Sequence, residues 1–474
     1  ALISVYSWIS SAGNGRIDSI AVVPFDDSGD RDLAYVSEGI AEGLIDRFAE
    51  LPQLKVISRN SSFKFRGADL DVRSVAAQLG VSAIVTGKVA RVGDEIIIRV
   101  DVIDAANDRQ LAGAQYRRRA TDLLGLQSEI AQTTAEKLRF TLTGQQARRL
   151  AVQRTQNSES YQYYLNGLVA LNGDPAGRDK ALAYFEKAVE IDPEFALPYA
   201  EIAWIHWANV NASSDPGKLL PKARTAVEKA LLLDPELAKA HVVRAMLHEY
   251  EFEWADAERE YRNAIELSPN LDFARNNYAF FLSVMDRQEE ALSQLEEQRR
   301  RDPLNKRLLL LQKATVLVQA RRFDEALAAY QEANAVDPAK GVPAFALGYA
   351  YAGRGLTGEA IEHYRKAVDD LGGEHKYSQP LVYLASIYAT IPEKRGDAKA
   401  ILTRLESTDG YVSPALLAIV HSALGDRDGA FALLEKSYIN RDPLLRYVRT
   451  GYEYDGLRGD PRLADLLKRA GLVP

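Results

Sequence analysis

The feature that most constrains this chain is a regular series of prolines in its C-terminal part. Each proline closes a stretch of helical pattern, and successive prolines stand 42, 34, 34 and 35 residues apart. The series is Pro193, Pro235, Pro269, Pro303 and Pro338. The longer first interval contains an insertion around residues 211–216. Because proline ends a helix, and a fixed period of about 20–50 residues marks stacked supersecondary units, the pattern predicts a helical solenoid.

The residues before these prolines indicate how the helices pack. Twelve, eight and five residues earlier stand a small, a bulky and another small side chain. The sets are Ala181, Phe185 and Ala188; Ala223, Val227 and Ala230; Ala257, Tyr261 and Ala264; and Ala326, Tyr330 and Ala333. Small residues let two helices approach closely, and the bulky one fills the gap beside them. Only the fourth repeat departs from this pattern, because Leu295 stands at its bulky position and Gln298 at its second small position. The pattern resembles the tetratricopeptide-repeat (TPR) family, whose period is about 34 residues.

The TPR resemblance implies a binding groove, because the first helix of each such repeat lines a concave face. Carried over repeat by repeat, the inward positions are Trp204, Trp207, Lys239, Met246, Phe273, Asn276, Phe280, Thr315, Phe345 and Tyr349. This set is mainly apolar and aromatic, so we expect a protein or peptide partner with apolar anchors. The alternative is that these residues pack against neighbouring repeats, or against an N-terminal domain folded into the groove.

Residues 17–150 have a different pattern, in which strands alternate with helices. Residues 20–25 form a continuous apolar run, typical of a strand covered on both faces. Apolar residues then recur at three- and four-residue steps from Leu33 to Phe48, as on an amphipathic helix. The whole segment gives the order β-α-β-α-β-β-β-α. The predicted fold class is therefore α+β: a small mixed α/β domain followed by an all-α TPR superhelical solenoid.

Five short motifs carry a second resemblance. They lie at residues 19–25, 38–40, 58–63, 80–87 and 126–130. Together they resemble the TolB-like N-terminal domain, which in bacteria commonly precedes TPR arrays. Such pairs are often fused behind a winged-helix, kinase or nucleotide-cyclase domain, with a membrane helix between. The resemblance implies a regulatory or assembly role, and this sequence contains no segment that resembles one of those effectors.

Composition and motifs argue against catalysis and against nucleic acid. The net charge is −7 and no basic stripe stands out, so counterion release offers little drive toward DNA or RNA. The chain has no cysteine, which excludes thiolate sites. The carboxylates between Asp26 and Asp32 lack the spacing of a calcium loop and suggest a solvated loop. No Gly-rich phosphate loop follows the first strand. We expect no enzyme activity, no cofactor and no metal site.

The chain opens with the apolar residues 1–16, which are shorter than the about 20 residues needed to span a bilayer. They suggest either an N-terminal arm or the end of a membrane anchor. We place a TolB-like domain at 17–150, a linker at 151–160, and a solenoid of about eight helical pairs with a capping helix at 161–474. We expect a membrane-associated protein whose soluble part is periplasmic, with the cytoplasm as the alternative. The predicted function is a non-catalytic interaction or scaffold module with a sensing or assembly role; the alternative is a permanent subunit of a larger membrane complex.

Overall fold

A mixed sheet with helices comes first in the chain, and a long helical stack follows. The computed structural model describes residues 17–30, 33–66, 70–119, 125–138, 142–151, 154–171, 177–210, 216–339, 341–370, 378–408 and 410–472. The strands are β1 (Ser19–Val22), β2 (Lys55–Val56), β3 (Ala83–Val92), β4 (Glu95–Asp104) and β5 (Arg109–Arg119). The helices of this first part are α1 (Ala34–Ala49), α2 (Arg59–Ser62), α3 (Val72–Leu79), α4 (Leu126–Lys137) and α5 (Gly144–Ala151).

The five strands form one sheet in the order β2-β1-β3-β4-β5. Strand β1 pairs in parallel with β2 and β3, whereas β3, β4 and β5 pair antiparallel. All four residues of β1 are buried, as its continuous apolar run predicts. In β4 the buried residues Ile96, Ile98, Val100 and Val102 alternate with more exposed ones, because one face packs against the helices. The predicted mixed sheet is confirmed.

The second part is built of consecutive antiparallel helix pairs. In the described residues the pairs are α6 (Ser158–Leu171) with α7 (Gly177–Ile191), α8 (Ala196–Val210) with α9 (Pro216–Leu233), α10 (Ala238–Tyr250) with α11 (Trp254–Leu267), α12 (Asp272–Val284) with α13 (Gln288–Arg301), α14 (Lys306–Gln319) with α15 (Phe323–Val336), α16 (Ala344–Gly353) with α17 (Thr357–Asp370), α18 (Ser378–Thr390) with α19 (Arg395–Glu406), and α20 (Pro414–Leu424) with α21 (Arg427–Ile439). Two 3₁₀ stretches, Pro443–Val448 and Tyr452–Leu457, and helix α22 (Pro461–Arg469) follow. This arrangement confirms the predicted solenoid.

The side chains at the small and bulky positions before each proline pack between the helices as the sequence predicts. Ala181, Phe185 and Ala188 of α7 are completely buried against α6. Gly167 of α6 lies so close to the Phe185 ring that a Cβ there would come within 2.4 Å of it. Such close approach is possible only with a residue that lacks a side chain, and it holds the two helices together. Gln298, the exception in the fourth repeat, is also completely buried.

The first part of the chain packs directly on the first helix pairs. Helix α1 lies against α6, and the close approach occurs at Gly39, whose hypothetical Cβ would be 2.7 Å from the Leu165 side chain. Gln162 of α6 donates to the Tyr35 hydroxyl at 3.0 Å. One hydrophobic core therefore runs from the sheet through the first two helix pairs to α10.

Asn270, in the loop before α12, joins the end of α1 and β2 to the solenoid. Its amide nitrogen donates to the carbonyl oxygens of Ala49 at 3.3 Å and Leu54 at 2.9 Å. Its amide oxygen accepts from the Val56 backbone N–H at 3.4 Å and from Arg301 at 2.9 Å. The side chain is only 8% exposed. Because buried polar groups need partners, this bonding fixes the position of α1 relative to the solenoid.

The C-terminal end of the chain turns back inside the solenoid. We call residues 443–457, which contain both 3₁₀ stretches, the inner segment. It contacts the first helices of successive pairs, from Glu249 on α10 through Phe280 on α12 to Tyr349 on α16. A segment that touches successive first helices lies on the face that they share. The last pair also returns to the third, where Tyr438 stacks on Phe252 with ring centroids 5.8 Å apart.

The predicted N-terminal arm, residues 1–16, lies outside the described residues, and the predicted domain limits stay predictions. Within the described ranges no helix is both long enough and apolar enough to cross a bilayer.

Candidate binding site at the domain junction

A cavity of about 440 Å³ lies between α1 and the solenoid, and we call it the junction cavity. One side is formed by α1 and α2. The opposite side is formed by the starts of α8, α10 and α12, which are the first helices of three successive pairs. The docking of α1 on α6 and the Asn270 bonding hold these two sides apart at a fixed distance.

Two aromatic rings and one lysine form the solenoid side of the junction cavity. Trp204 and Phe273 meet edge to face, with ring centroids 6.4 Å apart. The Lys239 ammonium lies 5.4 Å from the Trp204 ring centre and 5.8 Å from that of Phe273. Both contacts are within cation–π range. Lys239 also donates to Glu201, which is 5% exposed, at 2.5 and 2.6 Å.

The α1 side of the junction cavity is acidic. Glu42 accepts a hydrogen bond from Arg59 Nε at 3.1 Å, and burial nevertheless raises the pKa of Glu42 to about 7. Glu50 is bonded by Arg154 at 2.5 Å, and burial raises its pKa as well. Loss of solvation on burial is the largest cause of both raised pKa values, and the charges of Arg59 and Arg154 oppose it.

Asp46 differs from the other carboxylates of the junction cavity. Among the described residues it makes no hydrogen bond and no ion pair, although Lys239 and Arg154 lie near enough to lower its pKa. The side chain is exposed to the water of the cavity, and protein surrounds it on the other sides. The resulting loss of solvation raises the Asp46 pKa to about 6, with Glu201 and Glu50 adding to the shift. Asp46 is therefore a mostly ionised carboxylate at pH 7 that lies within a cavity.

At one end of the junction cavity, two aspartates lie close together at the boundary between the two parts of the chain. Asp302 accepts a short hydrogen bond from Ser58, and Asp272 is bonded by Asn305 at 3.5 Å. Burial, and then the charge of Asp302, raise the pKa of Asp272 to about 7 from an ordinary value of 3.8. The folded protein therefore keeps a proton on Asp272 that the unfolded chain releases.

This proton makes a testable contribution to stability. Between pH 4 and 7 the folded state binds more protons than the unfolded state, so stability falls as the pH rises through this range. Asp272→Asn copies the protonated form. Relative to the wild-type protein, the variant should gain on the order of 2 kcal/mol in free energy of unfolding between pH 4 and pH 7, because only the wild-type protein becomes less stable through Asp272 over this range. Thermal melts at several pH values would measure this, with the exposed Asp428→Asn as the control. A stability difference that does not vary with pH would contradict the assignment.

One potential metal-ligand group occurs elsewhere in the described residues. Atoms of His248, Glu251 and Glu253 lie within 4.8 Å of one another. His248 Nδ1 and Glu253 Oε2 are already hydrogen-bonded at 2.6 Å, and Glu251 forms an ion pair with Arg224. The contacts of these side chains are therefore accounted for within the protein itself.

Comparison with known proteins agrees with the helical geometry. Residues 178–195, which lie within α7 and the loop after it, match the family described as tetratricopeptide repeat. They contain the small–bulky–small positions of the first helix pair, which recur in later pairs. The helical part of the chain is a repeat solenoid, and it matches the TPR family over these residues.

Individual relatives match this chain only in part. A protein named putative adenylate cyclase 3, from Rhizobium meliloti (strain 1021), is 32% identical over 189 residues, which are 40% of this chain and 32% of that protein. The chain thus spans about a third of the curated relative that it matches. The solved structure of Pseudomonas aeruginosa PilF is 21% identical, with a TM-score of 0.33, and the match covers 44% of this chain and 90% of PilF. Yeast Tom70 is 17% identical, with a TM-score of 0.38, and the match covers 66% of this chain and 68% of the Tom70 chain.

The positions carried over from the TPR family lie in three different environments. Trp204, Lys239 and Phe273 meet at the junction cavity. Trp207 packs near Tyr250, with ring centroids 6.5 Å apart, and Met246 is 2% exposed, so Met246 offers no surface to a partner. Asn276 is partly buried, and its side-chain oxygen has no hydrogen-bond partner among the described residues.

The remaining carried-over positions lie farther along the solenoid. Phe280 packs against Tyr447 of the inner segment. Thr315 donates to the Leu311 carbonyl of its own helix. Phe345 and Tyr349 join an aromatic cluster with Tyr383, and Tyr349 also contacts Tyr452 of the inner segment. The alternative of packing within the chain thus describes Phe280, Phe345 and Tyr349, which the inner segment or its aromatic neighbours cover.

The inner segment binds the solenoid helices through buried charges. Arg446 forms an ion pair with Glu249 at 2.7 Å, with side chains 9% and 3% exposed. Glu453 accepts hydrogen bonds from the hydroxyls of Tyr349 at 2.8 Å and Tyr383 at 3.0 Å, and burial raises its pKa. Charges buried and bonded in this way indicate a specific contact rather than a loosely attached tail.

The sequence reasoning missed the acidic side of the junction cavity, although a signal was available. Glu38, Glu42, Asp46 and Glu50 follow one another at steps of four residues. On a helix this spacing places all four on one face. The spacing predicts an acidic stripe on α1, but not which surface the stripe approaches.

Proposed function

We propose that the protein is a non-catalytic regulatory interaction module that binds a partner protein at the junction cavity. The observation that carries the proposal is that Trp204, Lys239 and Phe273 meet at a cavity, whereas the inner segment or its neighbours cover the groove positions farther along. Aromatic side chains around a cavity are typical anchoring points for protein partners.

The proposal includes a TolB-like identity for residues 17–150. Its support is the set of five sequence motifs, together with a mixed sheet in which β1 is buried and α1 packs on the solenoid. In the proposed arrangement the domain has a structural task, because α1 supplies one side of the binding site. A partner would therefore contact both parts of the chain at once.

A regulatory role also fits the partial match to a protein named as an adenylate cyclase. The matched residues are about a third of that protein, and we propose that they belong to a part that regulates rather than catalyses. An assay of purified protein with ATP and Mg²⁺ tests this. Formation of cyclic AMP that one carboxylate substitution abolishes would overturn the non-catalytic proposal.

Membrane attachment through the N-terminus, with a periplasmic soluble part, is also proposed. It rests on the apolar residues Leu2, Ile3, Val5, Trp8 and Ile9. The alternative, a permanent subunit of a larger complex, receives less support. The exposed large apolar residues of the described chain, among them Leu232 and Ile439, lie on different elements rather than along one face.

The partner site is tested with the double substitution Trp204→Ala and Phe273→Ala. Tagged protein would be purified from its native membranes in mild detergent, and the co-purifying proteins quantified by mass spectrometry. We expect a stoichiometric partner to decrease about ten-fold or more, because two central aromatic anchors are lost. Leu232→Ala, on the exposed side of α9, is the matched control and should keep the partner. Retention of the partner by a double variant with an unchanged melting temperature would move the contact away from the junction cavity.

A further inference from the structure

The junction cavity has more acidic than basic groups on its lining. Six carboxylates face it: Glu42, Asp46, Glu50, Glu201, Glu236 and Asp272. Four cationic side chains face it: Arg47, Arg59, Arg154 and Lys239. At pH 8, above the pKa values of about 6 to 7 of Glu42, Asp46 and Asp272, these carboxylates outnumber the cations of the lining, so a cationic ligand would reduce the repulsion among them.

Several of these charges already have partners in the protein. Arg59 bonds Glu42, Arg154 bonds Glu50, and Lys239 bonds Glu201. Asp46 is the carboxylate of the lining that, among the described residues, has neither an ion pair nor a hydrogen bond. One side-chain oxygen of Glu50, Oε2, is buried and also has no hydrogen-bond partner there. The acidic side thus has carboxylate oxygens, on Asp46 and Glu50, that accept no hydrogen bond from the described residues.

The aromatic side of the cavity accepts a cation, and the chain itself supplies the example. The Lys239 ammonium lies within 5.8 Å of the centres of both the Trp204 and the Phe273 rings. The faces of aromatic rings attract cations because of their quadrupole, and they also pack against the apolar stem that carries the charge. Aromatic faces and a free carboxylate together are suited to a basic side chain.

We propose that the junction cavity binds an arginine or lysine side chain of the partner protein, with the Asp46 carboxylate as its counter-ion and the Trp204 and Phe273 rings as its walls. The assignment rests on the proposed function and names the anchor that the partner uses. A volume of about 440 Å³ falls within the range of about 300–1,000 Å³ typical of ligand pockets, so the anchor would enter with a neighbouring residue.

The test uses short peptide probes and the whole 474-residue chain at pH 8, where Asp46 is ionised. Binding of acetyl-Leu-Arg-Leu-amide and of its citrulline counterpart, which has the same shape without the charge, would be measured by isothermal titration calorimetry. We expect the arginine peptide to bind about ten-fold or more tightly than the citrulline peptide. Asp46→Asn should remove most of this difference, whereas Asp428→Asn, on the far surface, should leave it unchanged. Equal binding of the two peptides would overturn the proposal, as would an arginine preference that survives Asp46→Asn.

Two further arms separate the possible failures. Benzylammonium serves as a free amine, and tighter binding of this compound than of the arginine peptide would overturn the assignment to a protein side chain. If the double Trp204/Phe273 variant loses the co-purifying partner but Asp46→Asn retains it, the proposed function stands and the cationic anchor fails. If the partner is retained by both variants, the proposed function fails, whatever the peptides show.

Discussion

Replacing Arg446 by alanine should lower the free energy of unfolding by about 3–5 kcal/mol. Arg446 is the cation of a buried ion pair with Glu249, and both side chains are almost fully buried. Its removal leaves Glu249 in the interior with a single neutral donor, the Tyr261 hydroxyl. A buried carboxylate that loses its cation must either remain charged in an apolar environment or take up a proton, and both cost free energy.

Arg449→Ala is the matched control for Arg446→Ala, because the two arginines lie three residues apart in the inner segment. Arg449 pairs with Asp286, whose side chain is 53% exposed. Such a surface pair contributes about 0–1 kcal/mol. Urea titrations of both variants, followed by circular dichroism, would measure the difference. Hydrogen exchange would show where the protein is destabilised. We expect exchange to increase in α10 and in residues 443–457 for Arg446→Ala, and not for Arg449→Ala.

A double variant distinguishes the effect of charge from that of packing. Arg446→Met with Glu249→Leu removes both charges and keeps side chains of similar size. Buried ion pairs replaced in this way often give proteins that are equally stable. We therefore expect the double variant to recover most of the loss seen in Arg446→Ala. Equal stability of Arg446→Ala and Arg449→Ala would show that the inner segment is not held by the buried pair.

The fold could be predicted because its determinants are local and repeated. In four of the first five helix pairs, the packing depends on small and bulky residues and a closing proline that lie within about one helix length of each other. Phe185 and Ala188 occupy the predicted packing positions, and the same logic applies to later pairs. The sheet was predictable for a similar reason, because a run such as residues 20–25 suits only a strand buried on both faces.

Only one side of the candidate site could be predicted from the sequence. Trp204, Lys239 and Phe273 follow from the repeat, since each occupies an inward position on a first helix. Glu42 and Asp46 lie more than 150 residues away in the chain, and their place opposite Trp204 depends on how α1 docks. Docking of this kind is determined by surface complementarity between distant elements, and no local spacing encodes it.

The return of the inner segment into the solenoid could not be predicted from the sequence either. Residues 443–457 have short 3₁₀ stretches rather than a helical repeat, so no pattern assigns them to a surface. Their contacts with α10, α12 and α16 exist because the solenoid curves until its last pair meets its third. That curvature is the sum of small rotations between successive pairs. Arg446 and Glu453, the charged groups of this contact, therefore appear in the sequence as ordinary polar residues.

Asn270→Ala should weaken the docking of the N-terminal part on the solenoid by about 2–4 kcal/mol. The wild-type amide bonds the carbonyl of Leu54 and the N–H of Val56, and it also bonds Arg301. Alanine provides none of these bonds, and the groups remain in a region where the replaced side chain is 8% exposed. The cost is large because several polar groups lose a partner at once.

The expected result of Asn270→Ala is local rather than global. Hydrogen exchange should increase at residues 49–56 and around 268–273, while α14 to α21 keep their protection, because the lost bonds all lie at the junction. Asn440→Ala, at an exposed position after α21, is the control and should change stability by less than about 0.5 kcal/mol. Because the same docking forms the junction cavity, whose lining includes Asn270, the variant should also reduce binding of the arginine peptide. Unchanged exchange at residues 49–56 would mean that the apolar contact between α1 and α6 alone holds the two parts together.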